Sequence, residues 1–249
     1  MALAESAGEP LRQRPETLFR ERQRIANLSR IREFVFGTQD GLLTTLGVVT
    51  SVVGATSNSA TVIVAGLAEA VAGALAMGVG EYQGSRAQQE LHTVEIEKER
   101  TELQEKPAEE HRELRAIFQQ EGLNRDSADA VAGLLAQHPE LLFRTHVEKE
   151  LGLRLEEFES PLRNALVMGA SFFLGALLPI IPYLVAPARP ALVASVVLTV
   201  LALFGVGLAK AAVTHRRWLR SGFEVMIFGV LAAAIAYALG VWLPHVFGR

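Results

Sequence analysis

The sequence predicts an all-α fold: a polytopic membrane protein with five transmembrane helices and a helical cytoplasmic metal-binding domain inserted between helices 2 and 3. Three observations predict it. Half of the 249 residues are apolar and mean hydropathy is +0.25, although a fifth of the chain is charged. Charge is therefore segregated rather than spread. Uncharged runs long enough to cross about 30 Å of hydrocarbon flank one densely charged middle segment. No cysteine is present, which excludes disulfides and thiolate metal sites. Any metal falls to carboxylate, imidazole, thioether, carbonyl or water, a set suited to Fe(II) and Mn(II).

Residues 1–33 form a basic cytoplasmic segment with Arg12, Arg14, Arg20, Arg22, Arg24, Arg30 and Arg32. No cleavable signal peptide is expected, since no apolar core follows Met1. Leu18, Phe19, Ile25, Leu28 and Ile31 make a rough apolar stripe. It suits an interfacial helix on an anionic leaflet or a solvated leader that only sets topology. Residues 34–85 hold the first two spans, Phe34–Val53 and Ala60–Gln83; residues 161–249 hold three more, Leu162–Val185, Ala191–Val213 and Phe223–Phe247. The Gly54–Ser59 link is uncharged and Ala186–Pro190 carries only Arg189. The link after the fourth span carries Lys210, Arg216, Arg217 and Arg220. Positive charge on the inner side then places the N-terminus and large loop in the cytoplasm and the C-terminus outside. Pro179 and Pro182, in GALLPIIPY, are expected to kink the third span or end it near the outer face.

Residues 86–160 are too polar to span. Arg86–Glu105 continues the second span as a polar helix, Pro107 opens a helix to about Glu121, Gly122-Leu123-Asn124 breaks it, Asp126 or Ser127 caps another to about Gln137, and Pro139 opens a fourth to about Leu151. Between Arg86 and Phe158 stand 15 Glu and 2 Asp against 10 Lys and Arg. This acidity argues against nucleic acid and for a cation.

The candidate site residues fall in two sets. In the apolar stretch AGLAEAVAGALAMGVGEY (Ala65–Tyr82) lie Glu69, Met77 and Glu81, and small residues recur at Ala68, Ala72, Ala76, Gly80 and Gly84. Carboxylates within a membrane segment mark ion or proton paths, and a ridge of small residues admits another helix closely. Asp40, in FVFGTQDGLLTTLG, lies about 9 Å inside the first span, and Met77 about 10 Å inside the antiparallel second span. Asp40 and Met77 are thus expected at one depth, with Glu69 toward the outer face. In the middle segment, KERTELQEKPAEEHREL pairs Glu99 with Glu102 and Glu110 with Glu113, each three apart, and RTHVEKELGL sets His146 four before Glu150. Each spacing presents two ligands on one helix face. Taken singly, each pair is more often a solvated charged helix face; the concentration of like charge favours a divalent cation.

These residues resemble the vacuolar iron transporter family, and the likeness covers nearly all of Arg32–Phe247. It rests on G-x-x-D-G at Gly37–Gly41, on AGLAEAVAGALAMGVGEY, on LLPIIPY, and on two E-x-x-E pairs followed by ELGL. The resemblance implies a homodimer of five-span protomers in a lipid bilayer, with the first two helices lining a central path. It implies export of Fe(II), with Mn(II) as a further substrate, in exchange for protons; the ion is cargo, and no cofactor is expected. It assigns Asp40, Glu69 and Met77 to the path and Glu99, Glu102, Glu110, Glu113 and Glu150 to cytoplasmic metal binding. His146-Val147 departs from the paired methionines of plant members, and Glu81 is an addition. The absence of a targeting extension favours a bacterial inner membrane.

Two other classes compete. A membrane di-iron oxidase needs Glu-x-x-His on two helices. The residues three before His92, His111, His138, His146, His215 and His245 are Gln89, Ala108, Leu135, Phe143, Ala212 and Trp242, so the signature is missing. A metal sensor or membrane scaffold without transport would keep the cytoplasmic carboxylates but has no use for Asp40 and Glu69 within the bilayer.

Overall fold

A computed structural model of the protein describes residues 14–153, 160–214 and 218–247, the side chains of 14–30, 212–214, 218–221, 224, 244, 245 and 247 excepted. The described residues are helical with no strand: α1 (Arg14–Ala55), α2 (Ser59–Glu105), α3 (Pro107–Gln120), α4 (Arg125–Ala136), α5 (Pro139–Lys149), α6 (Pro161–Val185), α7 (Ala188–Thr214) and α8 (Trp218–Phe247). The apolar stripe expected before Ile31, and Arg216, Arg217 and Arg220 of the orienting link, lie outside the described side chains. Four helices, α2, α6, α7 and α8, are long and apolar enough to cross a membrane, so this is a multi-pass membrane protein. The first predicted span is not among them, because Thr38, Gln39, Asp40, Thr44, Thr45 and Thr50 dilute its apolar run. The chain divides into two compact units: Met1–Glu81 with Leu162–Arg249, and Tyr82–Pro161.

In the first unit α6 is the most buried of the four apolar helices. Half of its apolar window is buried within the chain, against 17% for α2, 28% for α7 and 22% for α8. Phe172, Ala176, Ile180 and Tyr183 of α6 pack with Leu46, Val49 and Val53 of α1 and Val62 and Ala70 of α2. Glycines allow the approach. A methyl group at Gly37 would stand 2.6 Å from the Met168 carbonyl oxygen, and one at Gly175 would stand 2.5 Å from that of Thr38. At Gly41 it would overlap the Phe172 backbone outright. On α2 the facing residues are Gly66, Gly73 and Gly78, whereas the ridge expected at Ala68, Ala72, Ala76, Gly80 and Gly84 is exposed. Pro179 and Pro182 sit inside α6, which runs on to Val185. Ser195 of α7 donates to the Pro179 carbonyl at 2.6 Å, tying the proline-bearing turn of α6 to the neighbouring helix.

In the second unit a small core (Leu114, Ala128, Ala132, Phe143, Val147) is reinforced by polar contacts. Asp129 of α4 meets His111 at 3.3 Å and Arg115 at 3.4 Å on α3. Lys149 reaches Glu121 at 2.6 Å, and the Arg100 guanidinium lies 4.5 Å over the Phe143 ring. Gly122, at φ 107°, ends α3: its N–H bonds the Gln119 carbonyl and the Leu123 N–H bonds that of Phe118. The N-cap of α4 is Asn124, not Asp126 or Ser127. Its side chain accepts from the Ser127 N–H at 2.8 Å, so the asparagine read as part of the break is the first residue of the next helix's cap.

The α1–α6 seam yields a prediction. Gly41→Ala forces backbone apart and is expected to cost about 1–3 kcal/mol or prevent folding. Gly205→Ala, with open space around it, is expected to be neutral or mildly stabilising, as Ala favours helix by about 0.8–1 kcal/mol. Thermal unfolding of the detergent-solubilised variants checks both.

Candidate metal centre and membrane carboxylates

Within the second unit, α2, α3 and α5 bring four predicted ligands together. Ligand atoms of Glu99, Glu110, His146 and Glu150 all lie within 4.8 Å of one another. The centre of the group is His146, which is fully buried. Its Nδ1 stands 3.0 Å from Glu99 Oε1, 3.2 Å from Glu150 Oε2 and 3.5 Å from Glu110 Oε2. Local structure sets this convergence. Proline at the start of α3 and of α5 fixes where each helix begins. The four-residue step from His146 to Glu150 keeps both on one face, and Gly152, at φ 65°, turns the chain so that the Leu153 N–H returns to the Val147 carbonyl at 3.0 Å.

The donor set fits a divalent cation. Glu99 Oε1 and Glu110 Oε2 are buried and have no hydrogen-bond partner, although both point at the cluster. Three carboxylates and one imidazole satisfy a borderline-hard ion such as Fe(II), Mn(II) or Zn(II). Glu102 and Glu113 do not join. Glu102 is drawn toward Lys98 at 3.7 Å and Lys106 at 4.0 Å, and Glu113 is exposed. One member of each E-x-x-E pair thus enters and the other stays at the rim.

In the first unit, the half-buried Glu69 of α2 accepts a hydrogen bond from Thr45 of α1. A methyl group at Gly66 would stand 3.1 Å from Val49. Thr45 with Glu69 and Val49 with Gly66 define an antiparallel register that sets Asp40 level with about Ala74 and roughly 4 Å along the axis from the level of Met77. Met77 is partly buried against the core that includes Phe172. Glu81 is half-buried on the last turn of α2 in this unit. Asp40 is also half-buried, but five residues rotate it about 140° around α1 from Thr45. Asp40, Glu69 and Glu81 do not converge as the second-unit ligands do. Glu33, passed over as part of the basic leader, is 1% exposed and paired with Arg32 at 3.1 Å.

Comparison with known proteins fixes the family. A family model described as the VIT family matches residues 31–241. The chain belongs to the VIT family. It is 32% identical over 216 residues to vacuolar iron transporter 1 of Arabidopsis thaliana, covering 86% of each chain. It is 32% identical over 210 residues to vacuolar iron transporter 2 of Oryza sativa subsp. japonica, covering 84% of this chain and 85% of the relative. A vacuolar iron transporter of Plasmodium falciparum is 25% identical over 226 residues. All three names describe transporters rather than enzymes.

In this VIT-family protein two carboxyls of the candidate metal centre are shifted by burial and by their neighbours' charge. Burial pushes the Glu99 carboxyl up to about 7, helped by the charges of Glu150, Glu110, Glu102 and Glu113. Burial likewise pushes Glu110 up to about 7, with Glu113, Glu150, Glu102 and Glu109 contributing. Glu102 and Glu113 therefore act on the site through charge while standing at its rim.

The raised carboxyls set a pH dependence. Between the unfolded value of 4.5 and about 7 the folded state holds protons that the unfolded chain has released. The metal-free unit therefore loses stability as pH rises through that window, and the deficit persists above it. Glu99→Gln or Glu110→Gln is expected to flatten the decline and raise the melting temperature at pH 8 in chelator. Metal affinity is expected to fall as pH drops below about 7, where protons compete for the same oxygens. Thermal melts and calorimetry on the full chain, with and without Fe(II), read both effects.

Proposed function

We propose that the protein carries Fe(II) out of the cytoplasm in exchange for protons, as a homodimer of five-span protomers, with the second unit capturing the ion on the cytoplasmic side. The observation that carries the reading is Glu69: a half-buried carboxylate inside a helix apolar enough to span, hydrogen-bonded to Thr45 of the neighbouring helix. Charge at that depth is costly and is kept for an ion path. A sensor without transport has no need of it. Membership of a family whose named relatives are iron transporters supports the cargo.

The fifth span is α1. Its polar residues weaken it as a lipid-facing helix, but Gly37 and Gly41 pack against α6, and Gly54 against Tyr237 and Gly240 of α8. A helix jacketed by protein needs less apolar surface than one bathed in lipid. The dimer is supported by the uncovered ridge of α2 and by the direction of Asp40, which faces away from the Thr45–Glu69 contact. Asp40 and Glu69, with the soft thioether of Met77, supply stations for the ion, and Glu81 an acidic group near one end. Metal and proton compete for the carboxylates, which is the chemistry that exchange requires. In the second unit, Glu99, Glu110, His146 and Glu150 take the ion, and Glu102 and Glu113 add attraction at the rim.

Proteoliposomes with an imposed pH gradient provide the test. Asp40→Asn and Glu69→Gln are each expected to reduce Fe(II) flux to background while the protein stays folded, since an amide keeps the shape but cannot exchange a proton. Near-native flux in either variant removes that residue from the path. Joint replacement of Glu99 and Glu110 by Gln is expected to slow transport at low Fe(II) and to spare it at saturation. An equal loss at both concentrations argues that the second unit takes part in passage itself; competition with Mn(II) in the same vesicles ranks the cargo.

A further inference from the structure

We propose that Thr45 is a positioning residue for the cation at Glu69, its hydroxyl fixing one carboxylate oxygen so that the other is presented to a divalent metal in passage. The inference rests on the reading of Glu69 as a path residue and adds a group that no sequence motif marks.

The argument begins with what threonine does in a helix. A hydroxyl on a helix ordinarily bonds back to the carbonyl four residues earlier. Thr44, Thr50, Thr93, Thr101 and Thr145 all do so, at 2.7–2.9 Å. Thr45 departs from this pattern. Its hydroxyl crosses from α1 to α2 and donates to Glu69 Oε2. Thr45 is fully buried, while Thr44 beside it is exposed. Thr45 is the only hydrogen-bond partner of Glu69 among the described residues.

The far side of the carboxylate is also shaped. A methyl group at Gly73 would stand 3.1 Å from Glu69 Oε1 and would overlap the Phe172 ring. Glycine there lets the Glu69 side chain lie against α2 while Phe172 of α6 closes over the same turn. Glu69 is thus held by a hydroxyl on one oxygen and by packing on the other flank, and its rotamer is defined before the ion arrives. Preorganisation of this kind lowers the ordering cost of binding. The donor's chemistry matters too. An arginine or lysine would hold the carboxylate more strongly but would repel the cation; a threonine hydroxyl is neutral and leaves the negative charge available.

The experiment measures Fe(II) flux, under reducing conditions, in proteoliposomes of full-length Thr45→Val, Thr45→Ser and Glu69→Gln. Valine keeps the shape of threonine and removes the hydroxyl; serine keeps the hydroxyl. Loss of one hydrogen bond to a charged group is expected to raise the half-saturating Fe(II) of Thr45→Val roughly tenfold. Maximal flux should stay within about twofold, and Thr45→Ser should return half-saturation to near the native value. Native half-saturation in Thr45→Val, with Glu69→Gln inactive, overturns the role of Thr45 and leaves Glu69 in the path. Native flux in Glu69→Gln overturns both. Should Thr45→Val not fold, Thr45→Ala supplies a second hydroxyl-free variant. Failure of both to fold, with Thr45→Ser intact and active, makes the residue purely structural and overturns the proposal.

Discussion

A carboxylate withdrawn from water needs a proton, a donor or a cation to compensate it, and each unit of this protein is built around that demand. In the second unit the demand is left partly open. Glu99 and Glu110 are buried against His146 with Glu150 alongside, and two of their oxygens have no hydrogen bond. Around them is a core of only a few apolar side chains. A unit this small has little reserve stability, so the state of four ligands bears on the whole of it. Protons meet the demand at low pH; in the proposed reading a divalent cation meets it at high pH, and the fold of this unit and its metal binding are then one equilibrium. In the first unit the demand at Glu69 is met by a single neutral hydroxyl, enough to hold the group and too little to neutralise it.

Glycine is what lets the first unit meet that demand. Thr45 can reach Glu69 only if α1 and α2 lie close, and both are drawn in by α6. Phe172 supplies the common surface: its backbone lies against Gly41 and its ring against Gly73. A methyl group at either place displaces the element that fixes the distance between the two helices carrying the candidate path residues. The glycines beside Asp40 and near Glu69 thus act through backbone spacing, and no conformational freedom is needed at them.

Much of this was legible in the sequence because it follows from local rules. The continuation of α2 to Glu105, and the starts of α3 at Pro107 and α5 at Pro139, follow from charge periodicity and proline at the first helical position. What depends on tertiary placement was not legible. Glu99 and Glu102 point within about 60° of each other on α2, so spacing alone cannot say which turns inward. The position of His146 on another helix decides it. Asn124 was read as a break because cap and breaker share residue types. Thr45 gave no signal beyond its place one turn after Gly41 on the buried stripe. Its role depends on Glu69, 24 residues away. Glu33 looked like part of a solvated basic segment, and only packing shows it buried.

The face of α2 that remains uncovered is the other half of the packing argument. Gly66, Gly73 and Gly78 meet neighbours in the same chain; Ala68, Ala72, Ala76, Gly80 and Gly84 are exposed and alternate with exposed Val64, Leu67, Val71, Leu75 and Val79. A purely lipid-facing helix gains nothing from such a ridge, because lipid tails fill against large side chains as well as small ones. Close approach by a second helix does gain, through van der Waals contact along the exposed backbone. Asp40 turns away from the Thr45–Glu69 contact between α1 and α2. The proposed path through Asp40 and Glu69 draws on a surface beyond the single protomer. In the proposed homodimer the α2 ridge is where the second copy provides it.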